Sequence, residues 1–270
     1  MKLKNINKIY VAGDFHGEID IEKLNVNNFP EQKELEGTNI LIQVGDFGFI
    51  WKNEEEHKRL KSIYEAPSII PTKKEDRTEK WWLNWLDKKN FFTLFIGGNH
   101  ENYNRLEKYP LIDFCGGKAA QISTKVFYLQ NGYIYDFDGL KFWMFGGATS
   151  IDKDNRIEGL SWWPQEIPSY SQMQFGLDQL KENNYQIDYI ITHTLPKLMI
   201  ERYAQSNLGG NFHEKAKLNY VFPCPVSSYL NNVFEVMRGR YKRWYAGHFH
   251  FDAPLDENIT VLYQTIRNIK

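Results

Sequence analysis

The sequence predicts an α/β protein in which mixed β-sheets carry helices on their outer faces. Three observations point there. Short apolar segments rich in β-branched and aromatic residues recur along the chain, helical patterns separate several of them, and the dipeptide Asp138-Gly139 joins two of them as a tight hairpin turn would. The hairpin requires an antiparallel pair, so a purely parallel doubly wound sheet is excluded.

Taken in order, strands are expected at Ile6–Ala12, Asn39–Val44, Phe91–Ile96, Val126–Leu129, Tyr133–Phe137, Lys141–Phe145, Tyr189–Thr192, Arg243–Ala246 and Ile259–Gln264. Helices are expected at Glu54–Glu65, Thr78–Lys89, Ser171–Asn183 and Val226–Arg238; Trp81, Trp82 and Trp85 fall at near-helical spacing in the second. Ala66–Glu79 carries Pro67, Pro71 and a charged run and reads as an exposed loop. No repeat and no linker divides the chain. It is expected to form a single domain over residues 1–270, with a surface insertion around 51–90 and a loop region at the edge of a cleft around 196–225.

Composition narrows the function classes. Of 270 residues 42% are hydrophobic, enough for a sizeable core and far from a disordered or collagen-like chain. Lys plus Arg number 33 against 34 Asp plus Glu, so the net charge of −1 gives no global field for nucleic acid or an anionic membrane. An anionic substrate must therefore be gripped locally. Cys115 and Cys224 are the only cysteines, which argues against a disulfide framework and a cysteine zinc site. No apolar run approaches 18 residues and the start lacks an apolar signal core; a soluble, cytoplasmic protein without a membrane segment is expected.

The polar residues that follow the strands are the informative feature. Asp14 and His16 follow the first, Gly45-Asp46 the second and Gly98-Asn99-His100-Glu101 the third. His193 and Gly247-His248-x-His250 follow two later ones. Five of the seven histidines thus lie just beyond strand ends, the edge where open α/β sheets bind ligands. Any one of these motifs alone reads equally well as turn chemistry or a satisfied histidine. Together, carboxylate, amide and imidazole donors with glycines between them suit hard or borderline divalent cations.

This ordered set resembles the calcineurin-like metallophosphoesterase superfamily over residues 14 to 250. The resemblance implies an α/β/β/α sandwich of two mixed sheets flanked by helices and a centre of two divalent ions, with Mn foremost and Fe, Zn or Ni as alternatives. It assigns Asp14, His16 and His250 to one metal, Asn99, His193 and His248 to the other, and Asp46 to a bridge between them. His100 is implied as a group beside the metals that donates a proton or steadies phosphate. The implied activity is hydrolysis of a phosphate ester by direct attack of a hydroxide held between the two ions. A nuclease or cyclic-nucleotide phosphodiesterase would use the same centre, and a binding or scaffold protein would keep the fold without hydrolysis.

Two departures bear on substrate. Serine/threonine protein phosphatases carry Gly-Asp-x-x-Asp-Arg-Gly in the second block, whereas Phe49 stands here at the second carboxylate and no arginine follows. What orients His100 is therefore open, and a protein phosphatase is not expected. The segment from Gly146 through Ser150, Asp152 and Arg156 to Ser161-Trp162-Trp163-Pro164 is similar to one in small bacterial and phage members. Arg156 could fork onto phosphate and Trp162 or Trp163 stack on a nucleotide-like substrate, or the pair could simply pack the loop, with Arg156 in a surface ion pair. Arg202 and His213 are further candidates at the cleft edge, with loop polarity as the plainer account. His57 and Lys73-Lys74 read as solvated surface, and nothing resembles the basic stripe of a nonspecific nucleic-acid binder.

Overall fold

The computed structural model describes residues 1–51, 77–204, 214 and 224–270. Among the described residues thirteen strands form two mixed sheets packed face to face, with helices on both outer faces, which is the expected architecture. The first sheet contains β1 (Ile6–Ala12), β2 (Thr38–Gln43), β3 (Phe92–Phe95), β4 (Leu111–Phe114), β5 (Gly117–Gln121), β6 (Val126–Leu129) and β13 (Ile266–Asn268). Their order is β13-β1-β2-β3-β6-β5-β4, with β1, β2, β3 and β6 parallel and the outer strands antiparallel. The second contains β7 (Ile134–Phe137), β8 (Leu140–Phe145), β9 (Tyr189–Thr192), β10 (Arg243–Ala246), β11 (Ala253–Pro254) and β12 (Ile259–Val261) in the order β11-β12-β10-β9-β8-β7. There β8, β9, β10 and β12 are parallel.

Side-chain alternation builds the layers. In β1, Ile9 and Val11 point to the interface between sheets while Tyr10 and Ala12 point to the helical side. In β8, Phe142 and Met144 enter the same interface while Trp143 and Phe145 face the helices beyond the second sheet. Burial on both faces explains why these central strands read as continuous apolar runs. Over the first sheet lie α1 (Arg77–Asp87) and α2 (Tyr103–Leu106), which supply Leu86, Tyr103 and Leu106. Over the second lie α3 (Tyr170–Glu182), α4 (Lys197–Tyr203) and α5 (Pro225–Met237), which supply Leu180, Met199, Ile200, Val226, Leu230 and Val233. Ser169 and Gln172 close a capping box that starts α3.

The predicted hairpin is present: Phe137 pairs with Leu140, and Asp138 and Gly139 take positive φ of 53° and 84°. The sequence reading omitted β4, β5, β11, β13, α2 and α4. It also drew β12 too long, because the chain turns after Val261 to bring Tyr263 against His250. The expected helix at Glu54–Glu65, His57, Lys73-Lys74, most of Ala66–Glu79, His213 and most of the 196–225 loop lie outside the described residues. Among the described residues no helix is long and apolar enough to cross a membrane.

Candidate metal centre

Because β1, β2 and β3 are parallel in one sheet and β9 and β10 in the other, the loops after them leave on one edge of the sandwich. There the two sheets share a single cluster. Ligand atoms of Asp14, His16, Asp46 and His250 all lie within 4.8 Å of one another. Asp46 faces both ways: its Oδ2 is 3.2 Å from His16 Nε2 and its Oδ1 3.4 Å from His193 Nε2. On the His193 side, Asn99 Oδ1 lies 3.0 Å from His193 Nε2 and 2.8 Å from His248 Nδ1. His250 Nε2 lies 3.5 Å from Asp14 Oδ2. All seven residues that the sequence singled out as candidate ligands thus converge.

Local backbone makes the convergence possible. His16, Asp46, His248 and His250 all adopt positive φ, between 48° and 71°, a conformation that costs non-glycine residues energy and that clusters at functional sites. The neighbouring glycines leave room. A Cβ on Gly98 would sit 2.0 Å from Asp46 Oδ1, and one on Gly247 would sit 2.2 Å from Asp14 Oδ1. Backbone donors fix both carboxylates: the His100 N–H donates to Asp46 Oδ1 at 2.7 Å, and the His248 N–H donates to Asp14 Oδ1 and Oδ2 at 3.2 and 3.1 Å.

An outer layer sets the histidines. His193 Nδ1 donates to Val44 O at 2.9 Å and His16 Nδ1 donates to Asp20 Oδ2 at 2.7 Å, so each turns Nε2 toward the cluster. The Tyr263 hydroxyl donates to the other oxygen of Asp20 at 2.9 Å, while its ring stacks on His250 with centroids 4.9 Å apart. The buried Lys23 ammonium donates to the carbonyls of Asp14 and Tyr263, tying the two sheets together behind the site. Glu101 accepts from the N–H groups of Phe47 and Gly48 at 2.6 and 3.3 Å and holds the loop after Asp46.

Electrostatics match a cation site. Burial alone would raise Asp46, but the charges of His193 and His100 and hydrogen bonds from His16 and His193 outweigh it and hold the carboxyl well below its ordinary range. Burial pushes Asp14 up, with His193 pulling it down and the nearby Asp46 adding to the rise. For His16, burial acts to lower the value, yet bonds to Asp20 and Asp46 carry it up to about 10. Two buried carboxylates so close need positive charge between them, and these oxygens and imidazoles are the donors that divalent cations take.

The remaining candidates are placed less centrally. The His100 ring is half-buried beside the cluster, 5.6 Å from the His16 ring. Phe49 is 5% exposed and packs on Phe47 and Trp82, so it is core and offers His100 nothing. Besides Asp46, a further carboxylate in electrostatic reach is Asp152. Burial would raise it, but the Arg156 guanidinium and then the charge of His100 hold it below its ordinary value. Arg156 is engaged by Asp152 through Nε and Nη2, both at 2.7 Å, and by Ser161 O at 2.9 Å. Trp163 takes the packing alternative: it is 2% exposed, belongs to the core over the first sheet and meets Trp51 edge-on at 5.1 Å, so it presents no face for stacking. Trp162 is half-buried, and Arg202 is exposed in the last turn of α4.

Sequence reasoning did not list Asp20, Lys23, Glu101, Ser150, Glu166 or Tyr263 as site residues. Asp20 lies four residues after His16, and Glu101 and Ser150 fall in blocks already noted; Lys23, Glu166 and Tyr263 carry no local signal.

Comparison with known proteins agrees with this geometry. The chain is 27% identical over 259 residues to a lariat debranching enzyme of Schizosaccharomyces pombe, covering 93% of this chain and 50% of the relative. It is 25% identical over 252 residues to one of Danio rerio, covering 90% and 40%, and 24% identical over 273 residues to one of Homo sapiens, covering 97% and 46%. The chain therefore spans about half the length, or less, of these relatives. The pattern of the calcineurin-like phosphoesterase family matches residues 7–196, with the strand-end residues Asp14, Asp46, Asn99 and His193 inside it, and the chain belongs to that family.

Proposed function

We propose that this chain is a divalent-metal-dependent phosphodiesterase acting on a nucleic-acid-derived phosphate ester. Asp14, His16 and His250 would hold one ion, Asn99, His193 and His248 the other, and Asp46 would bridge them. The observation that carries this reading is the divided carboxylate of Asp46, whose oxygens face His16 on one side and His193 on the other. When bound, two such ions supply a hydroxide nucleophile near neutral pH and neutralise phosphoryl oxygens.

The chain's own residues have distinct tasks. Asp46 sets the spacing of the two donor groups. Asp20 and the Val44 carbonyl keep the protons of His16 and His193 on Nδ1, leaving Nε2 as donor. His100, outside the ligand set, protonates the departing oxygen through an imidazolium N–H, which matters most for poor alcohol leaving groups. The preference for diesters is supported by the relatives, all lariat debranching enzymes in name, which match nearly the whole of this chain.

The test is an activity screen of protein reconstituted with Mn²⁺, using p-nitrophenyl phosphate, bis-p-nitrophenyl phosphate, linear RNA and 2′–5′-branched RNA. Diesters, and the branched RNA above all, should turn over fastest. Faster turnover of the monoester would refute diester specificity, and no turnover with metal bound would return the chain to the scaffold reading.

A further inference from the structure

We infer that Ser150 and Glu166 are positioning residues that decide which end of the Asn99 amide faces His193 and His248. A primary amide has nearly the same shape at both ends and opposite chemistry. Rotated by half a turn, Asn99 would offer two N–H donors where a cation needs an oxygen. Something must exclude that rotamer.

The exclusion runs through one proton. Asn99 Nδ2 points away from the histidines and donates to Ser150 Oγ at 3.3 Å. That bond requires the Ser150 hydroxyl to present a lone pair, so its single hydrogen must be committed elsewhere. Two acceptors compete for it: Glu166 Oε2 at 2.5 Å and the main-chain carbonyl of Asn99 at 3.4 Å. The shorter bond to the carboxylate wins on distance and charge. Glu166 Oε1 also accepts the Ser150 N–H at 2.9 Å, so the carboxylate grips the serine at two points and its hydroxyl cannot swing. Ser150 is 2% and Glu166 1% exposed, so no water competes for these bonds. With the hydroxyl proton fixed on Glu166, a rotated Asn99 would set its carbonyl oxygen against the serine lone pairs, and only the orientation with Oδ1 toward the histidines is satisfied. This gives the segment from Gly146 to Trp163 a task that its sequence did not reveal.

The inference rests on the reading of Asn99 as a metal donor, and the experiment separates the two. Mn²⁺ titration by calorimetry reports the number of ions and the affinity of each, independently of turnover. Wild type should bind two. Ser150→Ala should weaken one of them on the order of 10–100-fold, the usual cost of losing an outer-layer partner, and leave the other unchanged. Glu166→Gln should weaken the same ion, because the new amide would donate to Ser150 Oγ and free its proton toward Asn99. In an Asn99→Asp background the effect of Ser150→Ala should vanish, since a carboxylate has no wrong end; a merely structural role would persist there. Wild type failing to bind two ions overturns the metal reading itself. Wild type binding two ions with Ser150→Ala unchanged, or an equal loss in both backgrounds, overturns the positioning role alone.

Discussion

In Gly98→Ala the added methyl would lie 2.0 Å from Asp46 Oδ1, 2.2 Å from Asp46 N and 2.8 Å from its Cγ, where carbon needs roughly 3.5 Å. The carboxylate alone could rotate away, but the backbone nitrogen cannot. The Asp46 carbonyl accepts from the N–H groups of Phe15 and His16 at 3.0 and 2.7 Å, so moving this residue drags the loop after β1 with it. Overpacking of this kind costs about 1–3 kcal/mol, and each kcal/mol lowers the melting temperature of a chain this size by roughly 2–4 °C. The larger effect falls on Asp46, whose displacement should weaken both ions. Gly37→Ala is the matched control. Its φ is +66° and nothing lies within 4 Å, so it suffers only left-handed strain of about 1–2 kcal/mol. Scanning calorimetry with chelator, combined with Mn²⁺ titration, should show both variants destabilised but only Gly98→Ala impaired in metal binding. Equal Mn²⁺ affinities for the two variants would refute the claim that this glycine exists to admit Asp46.

Asp46→Asn should keep the fold and lose the two-ion stoichiometry, which elemental analysis after reconstitution would detect; two ions retained at wild-type affinity would remove the bridge. His100→Ala should keep its metal and lose on the order of 10²–10⁴ in rate on alkyl esters, with a smaller loss on p-nitrophenyl esters. Equal losses on the two ester types would leave phosphate stabilisation as the role of His100. His16, raised to about 10 from 6.5, stabilises chelator-treated protein fully below pH 6.5. That contribution should fall as pH rises through 10, while Mn²⁺ affinity climbs over the same interval because binding must displace the proton; a melting temperature flat across the window would count against it. Trp163→Ala should cost about 3–5 kcal/mol and affect all substrates alike. Arg156→Ala should raise KM for nucleotide-like esters more than for p-nitrophenyl phosphate if the guanidinium also reaches phosphate, and an unchanged KM ratio would confine it to holding Asp152.

Legibility of the fold in the sequence followed burial. β1, β6, β9 and β10 were readable to the residue because apolar neighbours enclose nearly all of each strand. β4 and β13 escaped because they are edge strands: Leu111 is 56% exposed, and Arg267 and Asn268 face solvent. The hairpin of β4 and β5 turns on Cys115 and Gly116, a pair without the usual Asn or Asp signal, though both take positive φ. In the candidate site, residues directly after strands were visible because chain direction alone delivers them to one edge. Their supports were not, since Tyr263 reaches Asp20 across 243 residues and Lys23 reaches Tyr263 across 240. Trp163 stayed open in the sequence because an aromatic beside a polar loop looks the same there whether it stacks on a ligand or fills a core.

The division of the cluster between two sheets has a consequence for biosynthesis. Asp14, His16, Asp46 and Asn99 follow strands of the first sheet, while His193, His248 and His250 follow strands of the second. A nascent chain that has emerged only as far as β8 therefore carries Asp14, His16, Asp46 and Asn99, with the His100 N–H on Asp46 Oδ1, but lacks the three imidazoles that follow the second sheet's strands. All seven donors are present only once β10 and the loop after it have emerged, so competence for metal arrives late in chain order, with only the pairings of β11, β12 and β13 still to follow. A divalent ion supplied during refolding should then act as a late clasp, slowing unfolding while leaving early collapse of the first sheet at its own rate.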